Sequence, residues 1–187
     1  MRIELWGELI LKDLDGKVLY RKREKSRSFV KAWLHLLYGH ITSLGVATPD
    51  IGGANRTIVE YETNFQMHGN GGTSYGIMFG TGDTAVDVED YALEAIIPTG
   101  EAAGQFQYCL TEVSERVVAG ADCYFTITRR AFNLSGDNIT VAEWGLYTRM
   151  WAGSNYYMCA VRDVPGAPLL VPTATVLTGV YTLKITE

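Results

Sequence analysis

Acidic side chains are the residues whose type and spacing come closest to a chemical site. Asp83, Asp87, Glu89 and Asp90 follow one another closely after a Gly-Thr-Gly turn. Carboxylate oxygens are the ligands that calcium prefers, but this spacing does not follow that of an EF-hand loop. The cluster therefore predicts a solvated acidic loop, with a calcium site as the alternative.

Acid pairs are also the machinery of glycoside hydrolysis, and Glu112 with Glu115 or Asp87 with Glu89 are the pairs that could be proposed. Spacing alone does not support either pair. No Gly-x-Ser-x-Gly motif frames a serine, and no histidine has an identifiable nucleophile partner. The sequence therefore predicts no catalytic residue.

Histidine and cysteine spacing predicts no metal site. His35 and His40 stand at i and i+5 of a predicted helix and do not share a face, and His68 lies elsewhere. No Cys-x-x-Cys is present, and each cysteine falls within an apolar strand pattern: Cys109, Cys123 and Cys159. Buried free thiols in a reducing compartment are expected.

The Gly-Thr-Gly turn follows a short apolar run over residues 75–79, which predicts a buried strand. A strand before Gly80 and Gly82 resembles the start of a nucleotide-binding fingerprint, but Ala85 stands where a third glycine is needed. Acids beside a phosphate would repel it. A structural turn is predicted, in which Gly80 or Gly82 has positive φ or lets the backbone approach a neighbour closely.

Length and composition indicate one domain with a sizeable core. The chain has 187 residues, 47% of them hydrophobic, and a net charge of −5. The net charge gives no reason to expect nucleic acid as a partner. No apolar run approaches the ~20 residues of a membrane span. The first residues alternate and include acids, which predicts a strand and not a signal peptide.

Alternating apolar residues predict strands along most of the chain, with one helix. We expect a mainly β protein, an antiparallel β-sandwich of jelly-roll or immunoglobulin-like type with one helix in the N-terminal half. Residues 1–27 are predicted to form a β-hairpin extension (2–20) and a solvated basic connector (21–27). Residues 28–187 are predicted to form the sandwich domain, with the helix at 28–43.

Several local features refine this prediction. Ser28 is the expected N-cap of the helix, and Trp33 and Leu37 are expected to be buried against a sheet face or a neighbouring subunit. Residues 57–67 alternate and predict a long, half-exposed strand. A change in the apolar phase predicts a β-bulge near Glu143. The aromatic residues around Gly153 suggest a contact surface, with ordinary core and rim packing as the alternative: Tyr147, Trp151, Tyr156 and Tyr157.

Two segments together resemble a family of tailed-phage virion proteins. YGIMFGTGDTAVDVEDYALEAII is similar to its pattern of an apolar strand, Gly-Thr-Gly, Thr-Ala and Asp-x-x-Leu. FTITRRAFNLSGDNITVAEWGLYTR is similar to its Asn-x-Ser-Gly turn, Ile-Thr-Val and Glu-x-Gly-Leu-Tyr pattern, and CAVRDV and TLKIT follow in the same order. The resemblance covers most of residues 28–186. The chain departs from it at Arg129 and Arg130, where a Thr-rich strand is usual, so an exposed edge or interface is expected there.

The resemblance implies a non-enzymatic structural subunit of a bacteriophage virion, in the tail, baseplate or fibre-attachment region, which assembles in the host cytoplasm. A capsid decoration protein is the first alternative. A carbohydrate-binding module and a hydrolase with an unrecognised acid pair are the others. The expected partners are copies of itself and other virion proteins, without nucleic acid, membrane, cofactor, metal or small-molecule ligand. The basic run 21–27 and the acidic run 83–90 are predicted to meet between subunits.

Overall fold

The computed structural model describes residues 2–26, 29–42, 45–58, 66–67, 71–151 and 154–186. In chain order its elements are β1 (Arg2–Asp13), β2 (Val18–Ser26), α1 (Lys31–Thr42), β3 (Val46–Pro49), β4 (Asn55–Ile58), β5 (Gly76–Gly80), β6 (Gln107–Val113), β7 (Val117–Ala119), β8 (Asp122–Asn133), β9 (Ile139–Val141), β10 (Glu143–Trp151), β11 (Asn155–Asp163), β12 (Leu169–Val171) and β13 (Thr175–Thr186).

The large sheet has the strand order β2-β1-β13-β8-β6, and β7 also pairs with β8. All of these pairings are antiparallel. The first and last strands of the chain, β1 and β13, pair over all of their 12 residues. Because side chains alternate along a strand, Leu5, Leu9 and Leu11 all point from β1 into the core.

The second layer is the sheet β11-β10-β5, and β12-β9 and β3-β4 form two short additional ladders. The main core lies where residues of both layers meet. Trp144 of β10 stacks on Tyr181 of β13 with ring centroids 4.1 Å apart. Gly7 makes room for this pair, since a Cβ there would lie 2.6 Å from the Trp144 ring. The predicted mainly β, antiparallel, sandwich-like fold with one helix is therefore confirmed for the described residues.

Helix α1 buries a different face from the one expected. Ala32 and Leu36, one turn apart, are fully buried in a second core cluster with residues of β10 and β11. Trp33 is half-buried, 4.8 Å from the Phe29 ring, and Leu37 is 46% exposed. Leu37 does not pack on a sheet face, because leucines occur on more than one side of this helix and periodicity did not select a face. Its burial against a neighbouring subunit stays a prediction. The expected N-cap, Ser28, lies outside the described residues.

The N-terminal hairpin is longer than expected and belongs to the large sheet. The basic run is not a solvated connector, because most of it forms strand β2 beside β1. Its charges face acids across the strand pair: Arg21 donates to Glu8 and Lys25 to Glu4, each at 2.6 Å. The boundary expected at residue 27 lies outside the described residues.

The apolar phase change before β10 marks a break between strands rather than a bulge. β9 ends at Val141 and pairs with β12, whereas β10 begins at Glu143 and pairs with β5 and β11. The register shift of β10 against β11 falls at Leu146/Tyr147. The bulge predicted near Glu143 is therefore wrong in position. Of the strand predicted over 57–67, β4 includes residues 57–58, and residues 59–65 lie outside the described part.

Candidate functional site

Glu143, the first residue of β10, anchors the Gly-Thr-Gly stretch. Its side chain is fully buried. Its Oε1 accepts hydrogen bonds from the backbone N–H groups of Gly82 (3.2 Å) and Ala95 (2.8 Å), and Oε2 accepts one from Glu94 (3.1 Å). A single carboxylate therefore joins both ends of the loop that follows β5.

Arg162 of β11 supplies the positive charge that a buried carboxylate requires. Its Nε donates to Glu143 Oε2 at 2.8 Å, its Nη1 to Asp90 Oδ2 at 2.7 Å and its Nη2 to the Thr84 carbonyl at 3.1 Å. Burial by itself would lower the pKa of Arg162, but hydrogen bonds to Asp90 and Glu143 outweigh it and raise the pKa above its ordinary value. The arginine remains charged and fastens the acidic loop to the second layer.

Tyr147 and Gly145 complete the contact between β10 and this loop. The Tyr147 hydroxyl accepts a 2.6 Å hydrogen bond from the Leu93 N–H. A Cβ at Gly145 would lie 2.5 Å from the Val161 carbonyl oxygen and 3.0 Å from Leu93 Cδ2. Hydrogen bonding therefore explains the Glu and the Tyr of the Glu-x-Gly-x-Tyr pattern on β10, and close packing explains the Gly.

Gly80 and Gly82 are required by close approach and not by backbone conformation. Neither is among the glycines with positive φ, so that prediction is wrong. A Cβ at Gly80 would lie 2.6 Å from Glu143 Oε1, and one at Gly82 would lie 2.5 Å from Glu94 Cβ. The alternative expectation, that these glycines let the backbone pass close to a neighbour, is confirmed.

Three of the four acids of the loop are engaged with partners of the same chain, and the fourth, Asp83, is exposed. Asp87 accepts a hydrogen bond from the Glu89 N–H at 2.8 Å, and Asp90 accepts one from the Asp87 N–H at 2.9 Å besides its contact with Arg162. Glu89 forms an ion pair with Lys31 of α1. Within the described ranges, no group of three or more His, Cys, Asp or Glu side chains is arranged to hold a metal ion.

Arg129 of β8 is a second buried arginine, and backbone carbonyl oxygens of three segments accept hydrogen bonds from it. It donates to the carbonyl oxygens of Cys109 (2.9 Å), Ile77 (2.8 Å) and Gly72 (2.6 Å). Its guanidinium lies 4.5 Å from the centre of the Tyr108 ring. Burial lowers the pKa of Arg129 to about 10.

The expectation of an exposed edge at Arg129 and Arg130 is corrected by this arrangement. β8 lies inside the large sheet, between β13 and the β6 and β7 strands. Arg129 points into the core and is 0% exposed, whereas Arg130 points outward and lies 3.5 Å from Glu112. Strand alternation puts the two neighbouring arginines on opposite faces.

The histidines, the Glu112/Glu115 pair and the cysteines do not come together in one site within the described residues. His35 Nδ1 lies 3.2 Å from Thr48 Oγ1, whereas the side chain of His40 and the whole of His68 lie outside the described part. Glu112 and Glu115 are both exposed. Cys159 is fully buried, and burial raises the pKa of its thiol, while Cys109 and Cys123 are half-buried.

The aromatic residues near β10 and β11 do not form a row along a groove. Tyr147 is buried, and the Tyr157 ring stacks on Tyr75 at 5.9 Å. Arg56 covers the Tyr156 ring at 4.6 Å, and Trp151 is 47% exposed. The turn at Gly153 lies outside the described residues. The four aromatic side chains therefore lie in separate surroundings and do not form one surface among the described residues.

Sequence reasoning missed Glu143, Arg162 and Arg129 as the central polar residues. Glu143 and Arg162 are charged residues among mostly apolar neighbours, and Arg129 stands on the strand face that carries Phe125 and Ile127. A charged residue in such a position is the signal that marks a buried charge. Comparisons with protein-family models, curated proteins and solved structures find no match to the chain. Among the described residues, no helix is long and apolar enough to cross a membrane.

Proposed function

We propose that this chain is a non-enzymatic structural subunit of a bacteriophage virion, in the tail, baseplate or fibre-attachment region. It acts by self-assembly and by contacts with other virion proteins. The observation that supports the proposal most directly is the contact between the two segments that resemble the phage family. Glu143 and Tyr147 of one segment bind the backbone of Gly82, Leu93, Glu94 and Ala95 in the other.

This contact gives the shared spacing a structural meaning. A catalytic motif would direct side chains toward a cleft, whereas Glu143 and Tyr147 point into the protein and are 0% exposed. Their polar atoms are used to fix a loop to the second layer. A pattern built from such residues specifies a scaffold, which is consistent with a subunit whose work is assembly.

The charged residues support the same proposal. Arg162 is surrounded by Glu143, Asp90 and the Thr84 carbonyl, and Arg129 by backbone carbonyls. General acid–base catalysis needs a group within hydrogen-bond reach of a substrate. Among the described residues, the most buried charged groups instead have partners within the chain, so they contribute to folding.

The proposal is tested by locating the chain in purified phage particles. The phage that encodes it is propagated, its particles are purified by density gradient, and the chain is sought by mass spectrometry and by gold-labelled antibody in electron micrographs. Label at the tail or its attachment region is expected. Label spread over the head surface would favour a decoration protein instead, and absence of the chain from intact particles would refute the proposed function.

A further inference from the structure

The turn between β3 and β4 is built around one buried carboxylate. Asp50, which follows β3, is 8% exposed. Its Oδ1 accepts hydrogen bonds from the backbone N–H groups of Gly52 at 2.9 Å and Ala54 at 3.0 Å, and its Oδ2 accepts one from Arg56 Nε at 2.7 Å. Because charge-assisted hydrogen bonds are strong and directional, Asp50 fixes both the turn and the Nε side of Arg56.

Arg56 is held on two sides, and the rest of its guanidinium has no acceptor. Its Cζ lies 4.6 Å from the centre of the Tyr156 ring, and its Nε donates to Asp50. Among the described residues, no other group accepts a hydrogen bond from this guanidinium, which leaves Nη1 and Nη2 without an acceptor. The side chain is 38% exposed, and the hydrogen bond to Asp50 raises the pKa of Arg56, so the arginine is charged.

A pocket of about 340 Å³ lies beside this arginine, between the β3–β4 turn and the start of β11. We call it the Arg56 pocket, and its lining residues include Asp50, Arg56, Asn155, Tyr156 and Tyr157. The Ile51 N–H donates to the Tyr157 carbonyl oxygen at 3.0 Å, so the two sides of the pocket are tied together. Sites for small molecules have volumes of about 300–1,000 Å³, and this pocket therefore suits a small ligand.

The charges of the Arg56 pocket select a ligand with one negative charge. Asp50 and Arg56 are its charged lining residues in the described part of the chain, and the Asp50 oxygens are already engaged by three donors. The two Nη groups of an arginine match the two oxygens of a carboxylate in a bidentate contact. A phosphate carries more charge than one arginine offsets and would lie near Asp50, so a carboxylate fits better.

The uncharged groups of the Arg56 pocket match hydroxyl groups. Asn155 is exposed, and a side-chain amide both donates and accepts hydrogen bonds. Tyr156 and Tyr157 are half-buried, and their hydroxyl groups have no hydrogen-bond partner within the described ranges. Because the hydroxyl groups of a sugar also donate and accept, a sugar that carries a carboxylate would engage both the arginine and these neutral groups.

We propose that the Arg56 pocket binds an acidic sugar, a uronic or a sialic acid. The carboxylate of the sugar accepts hydrogen bonds from Nη1 and Nη2 of Arg56, and its hydroxyl groups bind Asn155 and the tyrosine hydroxyl groups. Because Asp50 and Tyr156 already hold the guanidinium in place, little side-chain entropy is lost on binding. The inference goes beyond the proposed function and does not depend on it.

The first test measures binding to the purified full chain by isothermal titration calorimetry. Glucuronic acid is compared with glucose, which lacks the carboxylate, and with acetate, which lacks the sugar, and N-acetylneuraminic acid is the second acidic sugar. At least one acidic sugar is expected to bind about tenfold or more tighter than glucose and acetate. Binding of neither acidic sugar would refute the inference, and so would glucose, acetate or inorganic phosphate bound as tightly as the acidic sugar.

The second test separates Arg56 from positive charge in general. R56K keeps the charge but loses the bidentate fork, and both R56K and R56Q are expected to weaken binding of the acidic sugar by about tenfold or more. R130Q is the matched control, because Arg130 is also a partly exposed arginine, 3.5 Å from Glu112, and it lies on β8 outside the pocket. An equal loss in R130Q, or wild-type affinity in R56K, would contradict the assigned role of Arg56.

N155A tests the pocket without disturbing the ion pair that holds its turn. Asn155 is exposed, so N155A is expected to keep the wild-type circular dichroism spectrum and melting temperature. It should nevertheless bind the acidic sugar several-fold more weakly, because a hydrogen bond to a sugar hydroxyl is lost. A folded N155A chain with wild-type affinity for the acidic sugar would overturn the inference.

Discussion

At the scale of single residues, two buried arginines are stabilised by different means. Arg162 is neutralised by Glu143 and Asp90, and its charge is part of a network that includes the loop after β5. Arg129 donates to carbonyl oxygens from three segments and lies on the Tyr108 ring. Removing one partner of a buried pair leaves an uncompensated charge, which costs more than the pair itself contributes.

Glu143→Ala is expected to lower the free energy of unfolding by about 3–5 kcal/mol, because it leaves Arg162 partly unpaired and three backbone N–H groups without an acceptor. Glu112→Ala is the control: Glu112 is 68% exposed at its side chain beside Arg130 and should change stability by less than about 0.5 kcal/mol. Urea unfolding measures both. Equal effects from the two substitutions would contradict the assigned role of Glu143.

Buried tyrosines predict how stability changes in alkali. Burial raises the pKa of Tyr108, Tyr147 and Tyr181 above the ordinary value of 10.0. Above about pH 10 the unfolded chain loses these phenolic protons while the folded chain keeps them, so the unfolded state binds fewer protons and stability falls as pH rises. Below pH 10 all three are neutral in both states and contribute no pH dependence.

The melting temperature is accordingly expected to decrease above about pH 10, and the ultraviolet absorbance of the ionised phenol should show a late group of tyrosines that titrates only with unfolding. Tyr108→Phe should make the decrease shallower. Titration of every tyrosine near pH 10 with the fold intact would show that these hydroxyl groups are accessible.

At the scale of elements, β10 joins the two layers. Its residues Trp144 and Leu146 belong to the main core, while Tyr147 belongs to the second cluster beside α1. Successive side chains of a strand point to opposite faces, so β10 packs on both sides. The register shift at Leu146/Tyr147 leaves Ala160 of β11 without a residue opposite it on β10.

Gly82→Ala is expected to destabilise the protein by about 1–3 kcal/mol, since the new Cβ would lie 2.5 Å from Glu94 Cβ and 2.7 Å from Glu143 Oε1. Gly166→Ala provides the control, because a Cβ at Gly166 meets no atom within 4 Å and its φ is not positive. Thermal unfolding compares them. A Gly82→Ala protein as stable as the Gly166→Ala protein would show that the loop can move away from Glu143.

Two adjacent leucines of α1 test which face of the helix is buried. Leu36→Ala should cost about 2–5 kcal/mol, because Leu36 is 0% exposed in the second cluster. Leu37→Ala should cost much less, since Leu37 is 46% exposed and both substitutions have the same effect on helix propensity. Chemical denaturation of the two variants gives the comparison, and a larger loss for Leu37 would mean that the helix is rotated.

At the scale of the whole molecule, the chain closes on itself by pairing its first strand with its last. β1 lies between β2 and β13, so it is an internal strand of the large sheet. Leu5, Leu9 and Leu11 form part of the main core. Contacts of such long sequence separation must close a long loop at an entropic cost, and they make the fold depend on both termini.

A chain that begins at Ser28 is therefore expected to lose cooperative thermal unfolding, because it lacks β1 and exposes the full edge of β13. Calorimetry and near-ultraviolet circular dichroism detect this loss. As a control, Leu14→Ser alters the exposed turn of the hairpin and should leave the transition unchanged. A truncated chain with a wild-type transition would show that residues 29–186 fold on their own.

Sequence alone determined the features that depend on local periodicity. Alternation of apolar residues identified the mainly β class, the N-terminal hairpin and the strand before Gly80. A helical repeat identified α1. These patterns can be read from sequence because the local geometry of a strand or a helix sets the spacing of its buried residues. The sequence also indicated that Gly80 and Gly82 mark a special turn.

The tertiary structure decided which residues meet. It selected the buried face of α1, paired β1 with β13 and placed the charges of Glu143, Arg162 and Arg129 inside the core. Glu143 and Gly82 are far apart in sequence, and nothing in the local pattern of either predicts a hydrogen bond between them. Register across strands is likewise a tertiary feature, since Ile3, Cys123, Ile185 and Val118 come to lie side by side only after their four strands have paired.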